Sequence, residues 1–113
     1  MIIEKLIPLP TGKVPFDLTS YNKVPKENGC YILTTYDNQI LYIGLATNLY
    51  TRFRNHLDTP EKTSPTADGK VVWFHYTTFD PTNLPKLERT WLNQFLNIHG
   101  RFPILNKTSS PIS

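Results

Sequence analysis

Two tyrosines, an arginine and a histidine lie close together within residues 29–56 of the chain: Tyr31, Tyr42, Arg52 and His56. Hydrolysis of a phosphodiester needs an oriented water molecule, a base that removes its proton, and positive charge on the phosphate oxygens and the leaving oxygen. Phenol, guanidinium and imidazole groups are suited to those tasks. We therefore predict that residues 29–56 supply half of a phosphodiester-cleaving site.

The first part of this stretch has the pattern of a β-hairpin. Residues 30–36 and 39–44 are rich in β-branched and aromatic side chains. Asp37 and Asn38 lie between them, and both residue types tolerate left-handed backbone angles. The two runs are therefore predicted to pair as antiparallel strands.

The register of the hairpin decides where the phenols point. With a two-residue loop, Leu33 lies opposite Tyr42 and Tyr31 lies opposite Gly44. Tyr31 and Tyr42 then share one face of the sheet as diagonal neighbours about 7–8 Å apart. Because Gly44 has no side chain, both phenols can point into a common space above the sheet.

The next run is predicted to be an amphipathic helix over residues 48–57, with Asn48 or Thr47 as its N-cap. Its apolar residues recur four apart: Leu49, Phe53 and Leu57. Arg52 and His56 are also four apart, so they share a face beside that apolar stripe. We expect both side chains at the edge of the core.

A second helix is predicted from about residue 84 to 98, capped by Asn83 and ended by Gly100. Its apolar residues form one broad stripe: Leu84, Leu87, Trp91, Leu92, Phe95 and Ile98. Glu88 lies inside that stripe. A buried carboxylate is costly unless it is paired, hydrogen-bonded or bound to a metal, so Glu88 is a candidate functional residue.

Together with the remaining segments, these elements predict a single domain of the α/β class. Its expected architecture is an α+β sandwich in which helices flank a three-stranded antiparallel sheet. Residues 70–77 have apolar side chains on both faces, which predicts an interior third strand. The other expected parts are an irregular N-terminal arm at 1–24 with a short strand at 2–7, a helical turn at 17–21, a loop at 58–69, a domain body at 25–106 and a flexible tail at 107–113.

Composition limits the class of protein. The chain has 113 residues and one cysteine, Cys30, which excludes an intrachain disulfide and favours a reducing compartment. No apolar stretch approaches the roughly 20 residues that cross a bilayer, and no secretory signal is apparent, so a cytoplasmic protein without membrane contact is expected. The net charge of +3 agrees with a polyanionic partner.

Four tripeptides follow one another along the chain: GCY at 29–31, YIG at 42–44, LER around Glu88, and ILN ending at Asn106. Together with the arginine and histidine of the first helix, they resemble the GIY-YIG nuclease superfamily, which includes the cutting domain of bacterial excision-repair nucleases. The resemblance covers about residues 25–106. It implies a small α+β sandwich that cleaves DNA with one divalent metal, Mg²⁺ or Mn²⁺.

The resemblance also implies roles for matching residues. Glu88 would hold the metal, Arg52 would bind the scissile phosphate, and Asn106 would support the site. A tyrosine would be the base, with His56 assisting, and both Tyr31 and Tyr42 remain candidates. The repair enzymes commonly carry a lysine directly after YIG, where this chain has Leu45.

Contacts to nucleic acid are expected from Arg52 and from surface cations. The candidates are Lys26, Arg54, Lys62, Lys70 and Arg89. A homodimer or a separate targeting protein could add specificity. The alternative function is a nucleic-acid-binding or protein-interaction module that keeps the fold without catalysis, and salt-sensitive DNA binding without cleavage would favour it.

Overall fold

The computed structural model describes residues 1–78 and 82–106. These residues form two 3-10 helices, Ile3–Lys5 and Leu18–Lys23. They also form four strands, β1 Gly12–Pro15, β2 Gly29–Thr34, β3 Ile40–Ala46 and β4 Trp73–Thr78, and three α-helices, α1 Leu49–Leu57, α2 Pro60–Thr63 and α3 Leu84–His99. Across those two ranges, none of the helices has the length and apolar character that a membrane crossing requires. The expected flexible tail at 107–113 lies outside the described residues.

Among the described residues, the sheet has four antiparallel strands in the order β1-β4-β2-β3, so the prediction of three strands was wrong. The additional strand is β1, which pairs with β4 through Gly12 opposite Tyr76. Its four residues end at Pro15 and are too few to show a period of two in the sequence. The prediction that β4 is an interior strand is confirmed, since it lies between β1 and β2.

The hairpin register is the predicted one across the site: Leu33 pairs with Tyr42, and Tyr31 pairs with Gly44. The pairing shifts between Leu33 and Thr34, so that Thr34 faces Ile40 and the loop is longer than two residues. Asn38 takes the left-handed conformation within this loop, with a φ of 66°. The irregularity therefore lies beyond the tyrosines and leaves their placement unchanged.

Helices α1 and α3 cover opposite faces of the sheet. Tyr31, Tyr42 and Phe74 point toward α1 and pack with its buried residues Leu49 and Phe53. On the other face, one cluster joins the strands to α3: Cys30, Ile32, Ile43, Leu84, Leu87, Trp91 and Phe95. The alternation of side chains along β2 thus separates the phenols from the residues that hold α3.

The first 24 residues contribute to the sheet and to the core. The predicted strand at 2–7 is a 3-10 helix at Ile3–Lys5, whose Ile3 is buried and packs with Leu6 in the α3 cluster. The predicted helical turn at 17–21 is the 3-10 helix Leu18–Lys23, and the Asp17 side chain caps it by accepting from the Thr19 N–H. Segment 58–69, predicted as loop, contains the single turn α2.

Candidate active site

Tyr31 and His56 form the centre of the site. The Tyr31 hydroxyl and the His56 Nε2 are 2.6 Å apart. Tyr31 is fully buried, and its ring stacks on Phe74 with 5.2 Å between centroids and 9° between planes. The stacking fixes the ring, and the hydrogen bond fixes the direction of the hydroxyl.

Tyr42 completes an aromatic triangle with these two residues. Its ring centroid lies 5.8 Å from that of Tyr31 and 5.4 Å from that of His56. The space for both phenols depends on Gly44, because a Cβ there would lie 2.8 Å from the Tyr31 hydroxyl and 2.8 Å from a ring carbon of Tyr42. The structure thus brings Tyr31, Tyr42 and His56 together above a glycine.

His56 is neutral in this environment. Burial, followed by the positive charges of Lys62 and then Arg52, lowers its pKa to about 3. A neutral imidazole has one donor and one acceptor nitrogen. In the tautomer with a proton on Nδ1, Nε2 accepts the hydrogen bond from the Tyr31 hydroxyl, so the pair is arranged to position that phenol and share its proton.

Arg52 lies on α1 one turn before His56 and is half-buried. Its guanidinium Nη1 donates to the carbonyl of Leu45 at 3.5 Å. Leu45 belongs to β3 and pairs with Cys30 of β2. The guanidinium therefore reaches the sheet at the Cys30–Leu45 pair, beside the end of the YIG tripeptide.

Glu88 lies on α3, across the sheet from the phenols, and is 5% exposed. Burial raises its pKa to about 7, while Arg89 acts in the opposite direction. Burial first, and then the charge of Glu88, raises the pKa of the Cys30 thiol to about 12. Glu88 and Arg52 thus approach the same Cys30–Leu45 pair from opposite faces of the sheet.

A single buried carboxylate restricts the type of metal that fits. In the described ranges, no three His, Cys, Asp or Glu side chains are grouped so that they could hold a metal ion. Mg²⁺ is commonly held by one or two carboxylates while waters and substrate phosphates complete its shell. Glu88 fits that mode of binding, and a cation would also offset the cost of burying its charge.

Asn106 binds the backbone of β3 and not the aromatic triangle. Its Oδ1 accepts from the Ile43 N–H at 2.9 Å, and its Nδ2 donates to the Ile43 carbonyl at 2.8 Å. The Leu105 N–H donates to the Leu41 carbonyl at 2.9 Å. The C-terminal segment therefore holds the central residue of YIG in place.

Two of the predicted surface cations, Lys26 and Arg54, contact other aromatic rings. Lys26 stands 4.9 Å from the Tyr50 ring centroid, and Arg54 stands 5.1 Å from that of Tyr21. Arg54 is two residues from Arg52, so the two point to different sides of α1. Lys70 and Arg89 are exposed. The structure does not bring Lys26 or Arg54 into the aromatic triangle.

Two contacts of the site have no clear signal in the sequence. Phe74 supplies the stacking surface under Tyr31, which depends on the pairing of β2 with β4. Lys62, on α2, places its ammonium 4.8 Å from the Tyr42 ring centroid. From the sequence, Lys62 is one basic residue in a polar segment rich in proline.

The α+β fold thus places two tyrosines and a histidine on one face of the hairpin, an arginine at its Cys30–Leu45 pair, and a buried glutamate on the opposite face of the sheet. The family model of the GIY-YIG catalytic domain matches residues 27–101. The chain therefore belongs to the GIY-YIG family of nuclease domains.

Relatives in this family match shorter segments. A segment of 51 residues is 33% identical to the UvrABC system protein C of Syntrophomonas wolfei subsp. wolfei, and covers 45% of this chain and 8% of that protein. A segment of 34 residues is 53% identical to proteins of that name in Borrelia duttonii and Borrelia recurrentis, and covers 30% of this chain and 6% of each relative. The matched part thus spans less than a tenth of these relatives.

Proposed function

We propose that the protein is a DNA endonuclease that hydrolyses phosphodiester bonds and depends on a divalent metal, Mg²⁺ or Mn²⁺. The observation that carries this proposal is the 2.6 Å contact between Tyr31 and His56, with the ring of Tyr42 against both. Membership of the GIY-YIG family and the net charge of +3 support it.

Tyr42 is the proposed base. His56 has a pKa of about 3 and is too weak to hold a proton taken from water at neutral pH. The hydroxyl of Tyr31 is engaged with His56. The Tyr31–His56 pair therefore positions the aromatic triangle, and the Tyr42 oxygen is the proposed acceptor of the proton of the attacking water, after its own phenolic proton has passed to solvent.

Arg52 and Glu88 supply the charges. The Arg52 guanidinium is held beside Leu45 and can donate two parallel hydrogen bonds to the scissile phosphate. Glu88 would hold the metal. A bound divalent ion would neutralise charge on the phosphate oxygens and lower the pKa of a bound water. Asn106 keeps the YIG strand in register with these groups.

Nicking of supercoiled plasmid in Mg²⁺ or Mn²⁺ tests the proposal. We expect cleavage by the wild type and a loss of about 10²- to 10³-fold in Glu88→Gln and in Arg52→Ala. Glu27→Gln is the matched control, because Glu27 is an exposed carboxylate. No cleavage by the wild type, or undiminished cleavage by Glu88→Gln, contradicts the proposal, and salt-sensitive DNA binding without cleavage supports the non-catalytic alternative.

A further inference from the structure

Lys62 is brought to the site by the short helix α2. Proline at the start of α2 favours the first helical turn, and the Ser64 N–H closes that turn on the Pro60 carbonyl at 2.9 Å. Lys62 is partly buried and extends over the face of Tyr42, with 4.8 Å between Nζ and the ring centroid. A lysine in a polar segment is thereby held against a residue of the YIG tripeptide.

The ammonium of Lys62 also acts on His56. It lowers the pKa of His56 more than Arg52 does, although Arg52 is on the same helix as His56. Lys62 and Arg52 come from different elements, α2 and α1. The neutral histidine and the Tyr42 ring therefore lie in the field of two cations.

We propose that Lys62 is a second phosphate-binding residue of the site and donates from its ammonium to a phosphate oxygen of the DNA strand that Arg52 holds. This assignment rests on the proposed function. An ammonium carries three N–H donors, so a lysine can contact an aromatic face and a phosphate oxygen at the same time. Cation–π contact with Tyr42 holds the charge in place before DNA arrives.

The position after YIG explains why a cation from α2 is useful. Leu45 follows the tripeptide and carries no charge. Its carbonyl accepts from Arg52, while its partly buried side chain packs with the α3 cluster. Positive charge beside Tyr42 thus comes from α2 and not from β3.

Lys62→Met is the informative variant, because methionine keeps an unbranched stem over the Tyr42 ring and removes the charge. We expect Lys62→Met to lower kcat/KM for plasmid nicking by about 10- to 100-fold, the loss typical of a hydrogen bond to a charged group. Lys62→Arg should recover part of this loss. Lys5→Met is the matched control, since Lys5 is exposed on the N-terminal 3-10 helix.

DNA affinity measured against salt concentration separates a phosphate contact from a packing role. In a Glu88→Gln background, in which cleavage is expected to be about 10²- to 10³-fold slower, we expect Lys62→Met to reduce the slope of log K against log salt by about 0.9. Lys5→Met should leave the slope unchanged. Lys62→Gln replaces Lys62→Met if thermal unfolding shows that the methionine variant does not fold.

An unchanged salt slope overturns the assignment of Lys62, whether or not cleavage is affected. If the wild type does not nick DNA, the proposed function fails, while the salt slope still decides whether Lys62 contacts phosphate. A reduced slope together with reduced cleavage supports both.

Discussion

Gly44→Ala is the sharpest test of how the aromatic triangle is built. A Cβ at residue 44 would lie 2.8 Å from the Tyr31 hydroxyl, 2.9 Å from Tyr31 Cζ and 2.8 Å from Tyr42 Cε2, whereas ordinary contact begins at 3.4 Å. Movement of either ring would break stabilising contacts. The Tyr31 ring stacks on Phe74 and its hydroxyl is hydrogen-bonded to His56, and Tyr42 is buried beside Tyr31 and His56.

The expected magnitude follows from this crowding. Adding a methyl group to a well-packed site costs about 1–3 kcal/mol in free energy of unfolding. Both phenols must shift by several tenths of an ångström, and a misplacement of about 1 Å in a catalytic group costs on the order of 10²-fold in rate. We therefore expect Gly44→Ala to lower cleavage by about 10- to 100-fold.

Gly100→Ala is the matched control. Gly100 ends α3 with a φ of +71°, and a Cβ there would meet no atom within 4 Å. Its left-handed conformation costs an alanine about 1–2 kcal/mol, so the two variants should lose similar stability in denaturant unfolding. Gly100→Ala should nevertheless cleave plasmid at the wild-type rate. Wild-type stability and cleavage in Gly44→Ala would refute the reasoning.

Three further predictions concern the Tyr31–His56 pair, Glu88 and Asn106. Tyr31→Phe leaves the buried Nε2 of His56 without its partner and should lower the free energy of unfolding by about 1–3 kcal/mol, while Tyr36→Phe, at a side chain that is 73% exposed, should not. The pKa of Glu88 is raised from 4.5 to about 7, so between these values the folded protein binds more protons than the unfolded chain. The free energy of unfolding should therefore decrease as pH rises through this window. Glu88→Gln should lack this decline relative to wild type, and its melting temperature should not respond to Mg²⁺. Asn106→Ala removes two hydrogen bonds to Ile43 and should cost about 1–3 kcal/mol in unfolding, with faster hydrogen exchange of the Ile43 amide.

The outcomes that would contradict these three predictions are specific. Equal stability of Tyr31→Phe and Tyr36→Phe would show that the 2.6 Å contact contributes nothing to folding. A wild type and a Glu88→Gln variant with parallel stability from pH 4 to 8 would rule out a raised pKa. Unaltered exchange at Ile43 in Asn106→Ala, compared with Asn97→Ala on the exposed side of α3, would show that Asn106 does not hold β3.

His56 acts on stability in the opposite direction to Glu88. Its pKa is lowered from 6.5 to about 3, so the folded state binds fewer protons than the unfolded chain within this window. The stability that His56 contributes is present above pH 6.5 and is lost as pH falls toward 3. The comparison of wild type with Glu88→Gln is therefore needed to isolate the carboxylate.

Local patterns were sufficient to predict the hairpin and the buried glutamate. The register followed from two β-rich runs and a turn, and it placed Tyr31 opposite Gly44 as the structure does. The apolar stripe of α3 predicted that Glu88 is buried, and the residue is 5% exposed. Both inferences depend on patterns among residues that are close in the chain, which the sequence records directly.

Contacts between distant segments were not predictable in this way. β1 has four residues and is stabilised by backbone pairing with β4, a partner about sixty residues later in the chain. Lys62 meets Tyr42 because α2 folds back over α1, and nothing in the composition of segment 58–69 specifies that direction. Such placements depend on tertiary packing, which overrides local propensity.

The pairing of Asn106 and Leu105 with β3 has a consequence for how copies of this chain can associate. β3 is an outer strand of the sheet, and an uncovered outer strand invites another chain to add to it. Here the C-terminal segment occupies the hydrogen-bonding positions of Leu41 and Ile43. Strand addition along this stretch would first have to displace that segment, so an assembly that leaves the YIG strand intact must use another surface.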